Sequence, residues 1–181
     1  MCSHYTCNQV AARIKLRDRL EVFPFMPRAS IRPTDLAPVI LPDADSFSCR
    51  DLAWGWRVPW AKSPLINAKS ETLTSLPTFK PHLEKRCLIL LDGFYEKGVR
   101  FIQSGGPLFA LAGLWQSSPD GDQFTMLTTA PNATVSPFHQ RMPFILSPAQ
   151  YTAWLGTSWR DVLAHPDQSP LEKIQNQPDL F

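Results

Sequence analysis

The sequence predicts an α+β fold: a mostly antiparallel, strongly curved sheet forming a pseudo-barrel with peripheral helices. Three observations point there. The apolar residues come in short runs separated by turn-forming residues, as strands do. The 18 prolines stand against only 8 glycines, which favours short elements and rigid connections over a helical bundle. The third is size and make-up. A chain of 181 residues, 44% apolar and 19% charged, builds one ordinary globular domain with a real core.

Residues 3–7 read as a short strand. Asn8 then reads as the N-cap of an amphipathic helix, with Val10, Ile14 and Leu20 on one side and Arg13, Arg17 and Asp18 elsewhere. Pro24 and Pro27 stop it. Residues 28–34 form an extended, proline-held loop into a strand over 37–41, and Pro42-Asp43-Ala44-Asp45 turns it into a return strand over 49–56. A short helix is expected around 79–85. Cys87-Leu88-Ile89-Leu90-Leu91 is a continuous apolar run, a strand buried on both faces. Phe94-Tyr95-Glu96 resumes the sheet, followed by strands over 108–115 and 124–129. Ser147-Pro148 supplies an N-cap and first-turn proline for a helix ending at Gly156. A further short helix is expected over 159–164, and residues 165–181 form a tail on the surface.

The net charge of +2 is too small to mark a nucleic-acid binder by itself, so any such affinity needs a local patch. Cys2, Cys7, Cys49 and Cys87 show no CxxC pair, which argues against a metal site; no metal and no cofactor are expected. No apolar run approaches the ~20 residues of a membrane span. Asn8, Gln9, Arg13 and Lys15 occupy the place of a signal peptide's apolar core, so a cytoplasmic location and reduced cysteines are expected.

Cys2 follows Met1 directly. Once Met1 is removed, the chain starts with an amine and a thiol on one residue. Such an aminothiol condenses with an aldehyde to an imine, and the thiol closes on the imine to a five-membered thiazolidine. Its reference pKa values, about 7.7–8.0 for the amine and about 8.5 for the thiol, leave both groups partly nucleophilic near neutral pH. Three polar residues also stand at strand ends. Asn67 opens Asn67-Ala68-Lys69, Glu96 follows Gly93-Phe94-Tyr95, and His139 sits between Phe138 and Arg141-Met142-Pro143. Taken singly, each has an ordinary structural reading: turn or cap, solvated carboxylate, loop histidine.

Together with Met1-Cys2, four further motifs in order change that balance. Trp-Gly-Trp-x-x-Pro-Trp (54–60), Ile-Asn-Ala-Lys-x-Glu-Thr (66–72), Asp-Gly-Phe-Tyr-Glu (92–96) and His-Gln-Arg-Met-Pro (139–143) resemble the SOS-response-associated peptidase (SRAP) family. Its members protect abasic sites in single-stranded DNA. The resemblance implies Cys2 as the covalent nucleophile and Asn67 as the residue holding the cross-link and the N-terminal residue. Glu96 would assist ring opening of the sugar, and His139 would handle protons around it. DNA contacts are expected from His4, Arg57, Trp60, Lys69 and Arg141, and the resemblance implies a partner that is single-stranded DNA carrying an abasic site. A monomer is expected, in the cytoplasm and on the nucleoid when bound. Two departures stand out. Cys2-Ser3-His4 replaces the family's Cys-Gly-Arg, and Lys69 replaces the arginine of Asn-Ala-Arg, a point charge where a bidentate fork is usual. Trp54 is expected in the core and Trp60 at the rim, where it can stack on a base. Two rival readings stay open: a thiol autopeptidase releasing its own Met1, and a single-strand-binding module without chemistry.

Overall fold

The computed structural model describes residues 2–175. Strands dominate it: β1 Tyr5–Cys7, β2 Ala11–Leu16, β3 Arg19–Pro24, β4 Arg28–Ile31, β5 Leu36–Asp43, β6 Ser46–Trp54, β7 Asn67–Lys69, β8 Arg86–Leu91, β9 Gly93–Glu96, β10 Val99–Ile102, β11 Phe109–Gln116, β12 Gln123–Thr129, β13 Met142–Pro143, β14 Ile145–Leu146 and β15 Glu172–Gln175. Two short helices, α1 Tyr151–Leu155 and α2 Trp159–Ala164, lie at the periphery.

The larger sheet runs β13-β12-β6-β5-β8-β11-β14, and β11 also pairs with β12, so five strands close a ring. Its interior is the hydrophobic core. Every residue of β8 is buried, as expected for a run apolar on both faces. Gly113 on β11 allows this closeness, because a Cβ there would lie 2.7 Å from Ile89 and 2.8 Å from the Cys87 sulfur. A second sheet, β15-β10-β9-β1-β4, carries both the start of the chain and Glu96.

Arg86 ties the peripheral helices to the ring. Its buried guanidinium donates to the carbonyls of Trp154 at 2.7 Å and Gly156 at 2.9 Å, at the end of α1. These are carbonyls that a helix end leaves without partners.

The expected helix after Asn8 is instead the β2–β3 hairpin, paired from Ala11↔Pro24 to Leu16↔Arg19. Ala12, Ile14 and Leu16 are buried while Arg13 and Lys15 are exposed, a period of two that outweighs the helical spacing. The turn uses Arg17 and Asp18, both at positive φ (46° and 64°), without a glycine to announce it. The expected helix at 79–85 shrinks to one 3-10 turn, Lys80–His82. The tail is also only partly a surface segment. Leu171 is buried, and β15 pairs with β10 from Val99↔Gln175 to Ile102↔Glu172. Residues 176–181, also assigned to that tail, lie outside the described residues.

Candidate active site at the start of the chain

β1 is clamped between β4 and β9, with Tyr5 opposite Ile31 and Phe94. This brings the residues just before it alongside Tyr95 and Glu96; the Tyr95 N–H donates to the His4 carbonyl at 3.0 Å. Cys2 is 1% exposed. Asn67 holds it from the other sheet, its Nδ2 donating to the Cys2 carbonyl at 3.0 Å. Asn67 is placed by β7, which runs parallel to β12 with Asn67 opposite Met126. Trp54 fixes the approach: fully buried, it donates from Nε1 to the Ile66 carbonyl at 2.9 Å, one residue before Asn67. The expectation of Trp54 in the core therefore holds.

Glu96, 6% exposed, ends β9. Burial pushes the Cys2 thiol up to about 12, the His4 backbone opposes this, and the charge of Glu96 adds to it. The folded protein thus keeps a thiol proton that an unfolded chain releases. That contribution to stability is intact below about pH 9 and is lost as pH climbs toward 12. Iodoacetamide should therefore alkylate Cys2 at pH 8 about a thousandfold more slowly in the folded protein than in guanidinium. Equal rates, read by peptide mass, would contradict the burial.

His139 lies in the loop between β12 and β13. Phe138 meets Phe101 edge-on at 5.3 Å, and Phe101 stacks on Phe94 at 5.3 Å. The histidine loop is thereby packed against the strand pair that carries Glu96. Its Nδ1 lies 2.9 Å from the Arg141 N–H and 3.1 Å from the Arg141 carbonyl. Asn67 is hydrogen-bonded to Cys2, Glu96 lies close enough for its charge to raise the Cys2 thiol, and His139 stands on the adjoining loop.

Arg141, expected to contact DNA, has its guanidinium engaged within the protein. Its terminal nitrogens reach Glu71 at 2.7 and 2.8 Å and the Thr128 carbonyl at 2.5 Å, so the fork is occupied within the protein. Lys69 is exposed, and so is Trp60 at 69%. Both line a groove of about 400 Å³ that also includes Asn67, Leu65, Thr72 and Phe79. Trp60 therefore sits at the rim. Arg57 is exposed but lines a separate cleft of about 250 Å³, with Gly55, Pro64, Asp120 and Gln123. His4 stacks on Tyr95 (4.2 Å, 9°), and its Nε2 lies 3.1 Å from the Ser30 hydroxyl. Partial burial, then Arg32, lowers its pKa, so it is a neutral ring rather than a substitute cation at pH 7.

Sequence reasoning missed Glu71 and Asp92. Both lie inside the quoted motifs, yet nothing in the spacing announces their partners, Arg141 for Glu71 and Thr6, Asn8 and Arg100 for Asp92. Among the described residues no group of three or more His, Cys, Asp or Glu side chains could hold a metal ion, and no helix is long and apolar enough to cross a membrane.

Known proteins share the sequence and the fold. The chain is 31% identical over 179 residues to the abasic site processing protein YoqW of Bacillus subtilis (strain 168), covering 86% of this chain and 80% of that one. It is 32% identical over 181 residues to YoaM of the same organism, likewise named an abasic site processing protein, covering 86% and 79%. A crystal structure of a Bordetella bronchiseptica protein superposes with a TM-score of 0.76 at 23% identity, covering 98% of this chain and all of that one. The pattern described as "SOS response associated peptidase (SRAP)" matches residues 1–177, and the chain belongs to that family.

Proposed function

We propose that this protein forms a covalent cross-link with abasic sites in single-stranded DNA through Cys2, acting as a monomer after Met1 is removed. The observation that carries the reading is the Asn67 hydrogen bond to the Cys2 carbonyl beside the buried Glu96. That contact supports Cys2 as the reacting residue, since it holds the Cys2 backbone still close to an ionisable side chain. The abasic sugar is mostly a closed hemiacetal, so an acid must open it to the aldehyde; Glu96 takes that role. The Cys2 amine adds to the aldehyde carbon, and loss of water leaves an imine, with His139 moving the protons. The thiol then adds across the C=N bond, its proton passing to nitrogen, to close the thiazolidine. Family membership and relatives named for abasic site processing support the substrate. The lesion would be shielded from cleavage in the cell's response to DNA damage.

The groove lined by Trp60 and Lys69 beside Asn67 fits the flanking strand, an aromatic face for a base and a cation for a phosphate. Lys69→Arg should tighten binding of single-stranded DNA about two- to fivefold at fixed salt, since a guanidinium grips a phosphate with two hydrogen bonds. Unchanged affinity by fluorescence anisotropy would remove Lys69 from the phosphate path.

The deciding experiment mixes protein lacking Met1 with a single-stranded oligonucleotide carrying one abasic site. A product surviving denaturing electrophoresis without reductant is expected, and none with intact DNA. Equal yield on intact DNA, or no product, overturns the reading. The autopeptidase reading keeps support from Cys2 following Met1 directly. Intact mass decides it: Glu96→Gln retains Met1 if the protein releases that residue itself.

A further inference from the structure

We infer that Glu71 is a positioning residue that acts through Arg141 to hold a two-way proton partner against the His139 ring. The inference rests on the proposed role of His139 in moving protons. Nδ1 of His139 faces both polar groups of one backbone residue, the Arg141 N–H at 2.9 Å and the Arg141 carbonyl at 3.1 Å. A backbone N–H only donates and a carbonyl only accepts. The shorter of the two contacts is the N–H one, which favours a neutral ring whose Nδ1 accepts and whose proton sits on Nε2. With a doubly protonated ring, Nδ1–H donates to the carbonyl. The ring therefore has a partner at Nδ1 in both charge states without turning over. A histidine that must give and regain a proton at Nε2 needs this property.

Such a partner works only if the Arg141 backbone stays put. Residues 130–141 form a loop with no strand of their own until β13 begins at Met142, so its position depends on side-chain anchors. Arg141 provides the anchor nearest His139. Its two terminal nitrogens grip the Glu71 carboxylate at 2.7 and 2.8 Å, and one also reaches the Thr128 carbonyl at 2.5 Å and hydroxyl at 3.2 Å. The grip shows in Glu71 itself, whose carboxyl is held below the usual range chiefly by the Arg141 hydrogen bonds. Glu71 belongs to the 3-10 turn Ser70–Thr72 that directly follows β7. The clasp therefore ties the strand carrying Asn67 to the loop carrying His139, on opposite sides of β12. Lys173 also lies by this loop, over the Phe138 ring at 5.7 Å.

Glu71→Ala and Glu71→Gln in the full chain test this. Nitrogen-15 NMR of the histidine rings reads the tautomer: the wild type should show Nδ1 unprotonated and Nε2 protonated in the neutral ring. Glu71→Ala should show exchange between both tautomers, with Glu71→Gln intermediate because one amide oxygen still accepts from Arg141. The cross-linking rate at saturating DNA should fall about tenfold, as expected for a catalytic group displaced by less than 1 Å. DNA affinity should stay within about twofold, and the melting midpoint within about 4 °C, because the pair is half exposed at Glu71. Should Glu71→Ala fail to fold, Glu71→Gln carries the same readouts. An unchanged His139 tautomer in both variants overturns the inference, as does a loss of rate traced wholly to weaker DNA binding. Absence of any cross-link in the wild type would instead overturn the proposed chemistry, while the tautomer measurement would still decide whether Glu71 orders the ring.

Discussion

Cys2→Ala should abolish the product that survives denaturation without reductant, a loss of at least about a hundredfold in yield. The variant keeps a primary amine at its start, so it still forms an imine, but it has nothing to close the ring. An imine hydrolyses during denaturation; a thiazolidine does not present that bond. Borohydride should therefore rescue the Cys2→Ala product, because reduction traps the imine as an amine. Cys2→Ser should fall between the two, since its hydroxyl can close only a more labile oxazolidine. Cys2 is nearly fully buried beside Glu96, so these small substitutions leave the fold intact, and a melting curve verifies this. Equal reductant-free yield from Cys2→Ala and the wild type would eliminate ring closure from the mechanism.

Asp92→Ala should cost about 3–5 kcal/mol of stability, the usual penalty for stranding one member of a buried ion pair. At about 2–4 °C per kcal/mol for a chain of this size, the melting midpoint should drop by about 6–20 °C. Asp92 is 4% exposed and accepts from the Thr6 hydroxyl, from the Asn8 N–H at 2.6 Å and from Arg100 at 2.8 Å. Removal leaves the Arg100 guanidinium facing a gap between β9 and β10. The packing there is tight, since a Cβ on Gly93 would lie 2.7 Å from the Arg100 Nε. Asp92 also pins β1 on both sides of Cys7, so cross-linking should fall along with stability. Asp92→Asn keeps one acceptor oxygen, for the Asn8 N–H, while its amide nitrogen can donate to the Thr6 hydroxyl, so it should lose less. A midpoint shift under 2 °C for Asp92→Ala would show that the neighbours close over the loss.

The core strands were legible because their signal is local. The apolar run Cys87–Leu91 can only be buried on both faces, and Ser147-Pro148 marks the start of the α1 region, where Ser147 and Gln150 make a reciprocal capping box. The β2–β3 hairpin was misread because its turn lacks glycine and asparagine, and alanine, leucine and arginine are all good helix formers. β10 and β15 were missed for another reason. Each has four residues, and each becomes a strand only by pairing with a partner far along the chain. The site divides the same way. Cys2, Asn67, Glu96 and His139 could be named from motifs, but the pairing of Arg141 with Glu71 could not. A sequence shows a basic residue after a histidine; only the folded chain shows that its charge is already occupied.

The placement of the first residues in the last-completed sheet bears on timing during synthesis. Cys2 is sealed by Asn67 and neighbours Glu96, and the sheet holding it is finished by β15, at the far end of the described chain. A ribosome adding about 5–20 residues per second makes Glu96 roughly 5–20 s after Cys2. Throughout that interval the nascent terminus has no pocket to enter and remains open to an aminopeptidase. After the sheet closes, Cys2 itself is 1% exposed, so an enzyme acting at its amine side has little to grip. The proposed methionine removal would thus race against folding, and slow, long-range strand pairing would favour the enzyme that carries it out.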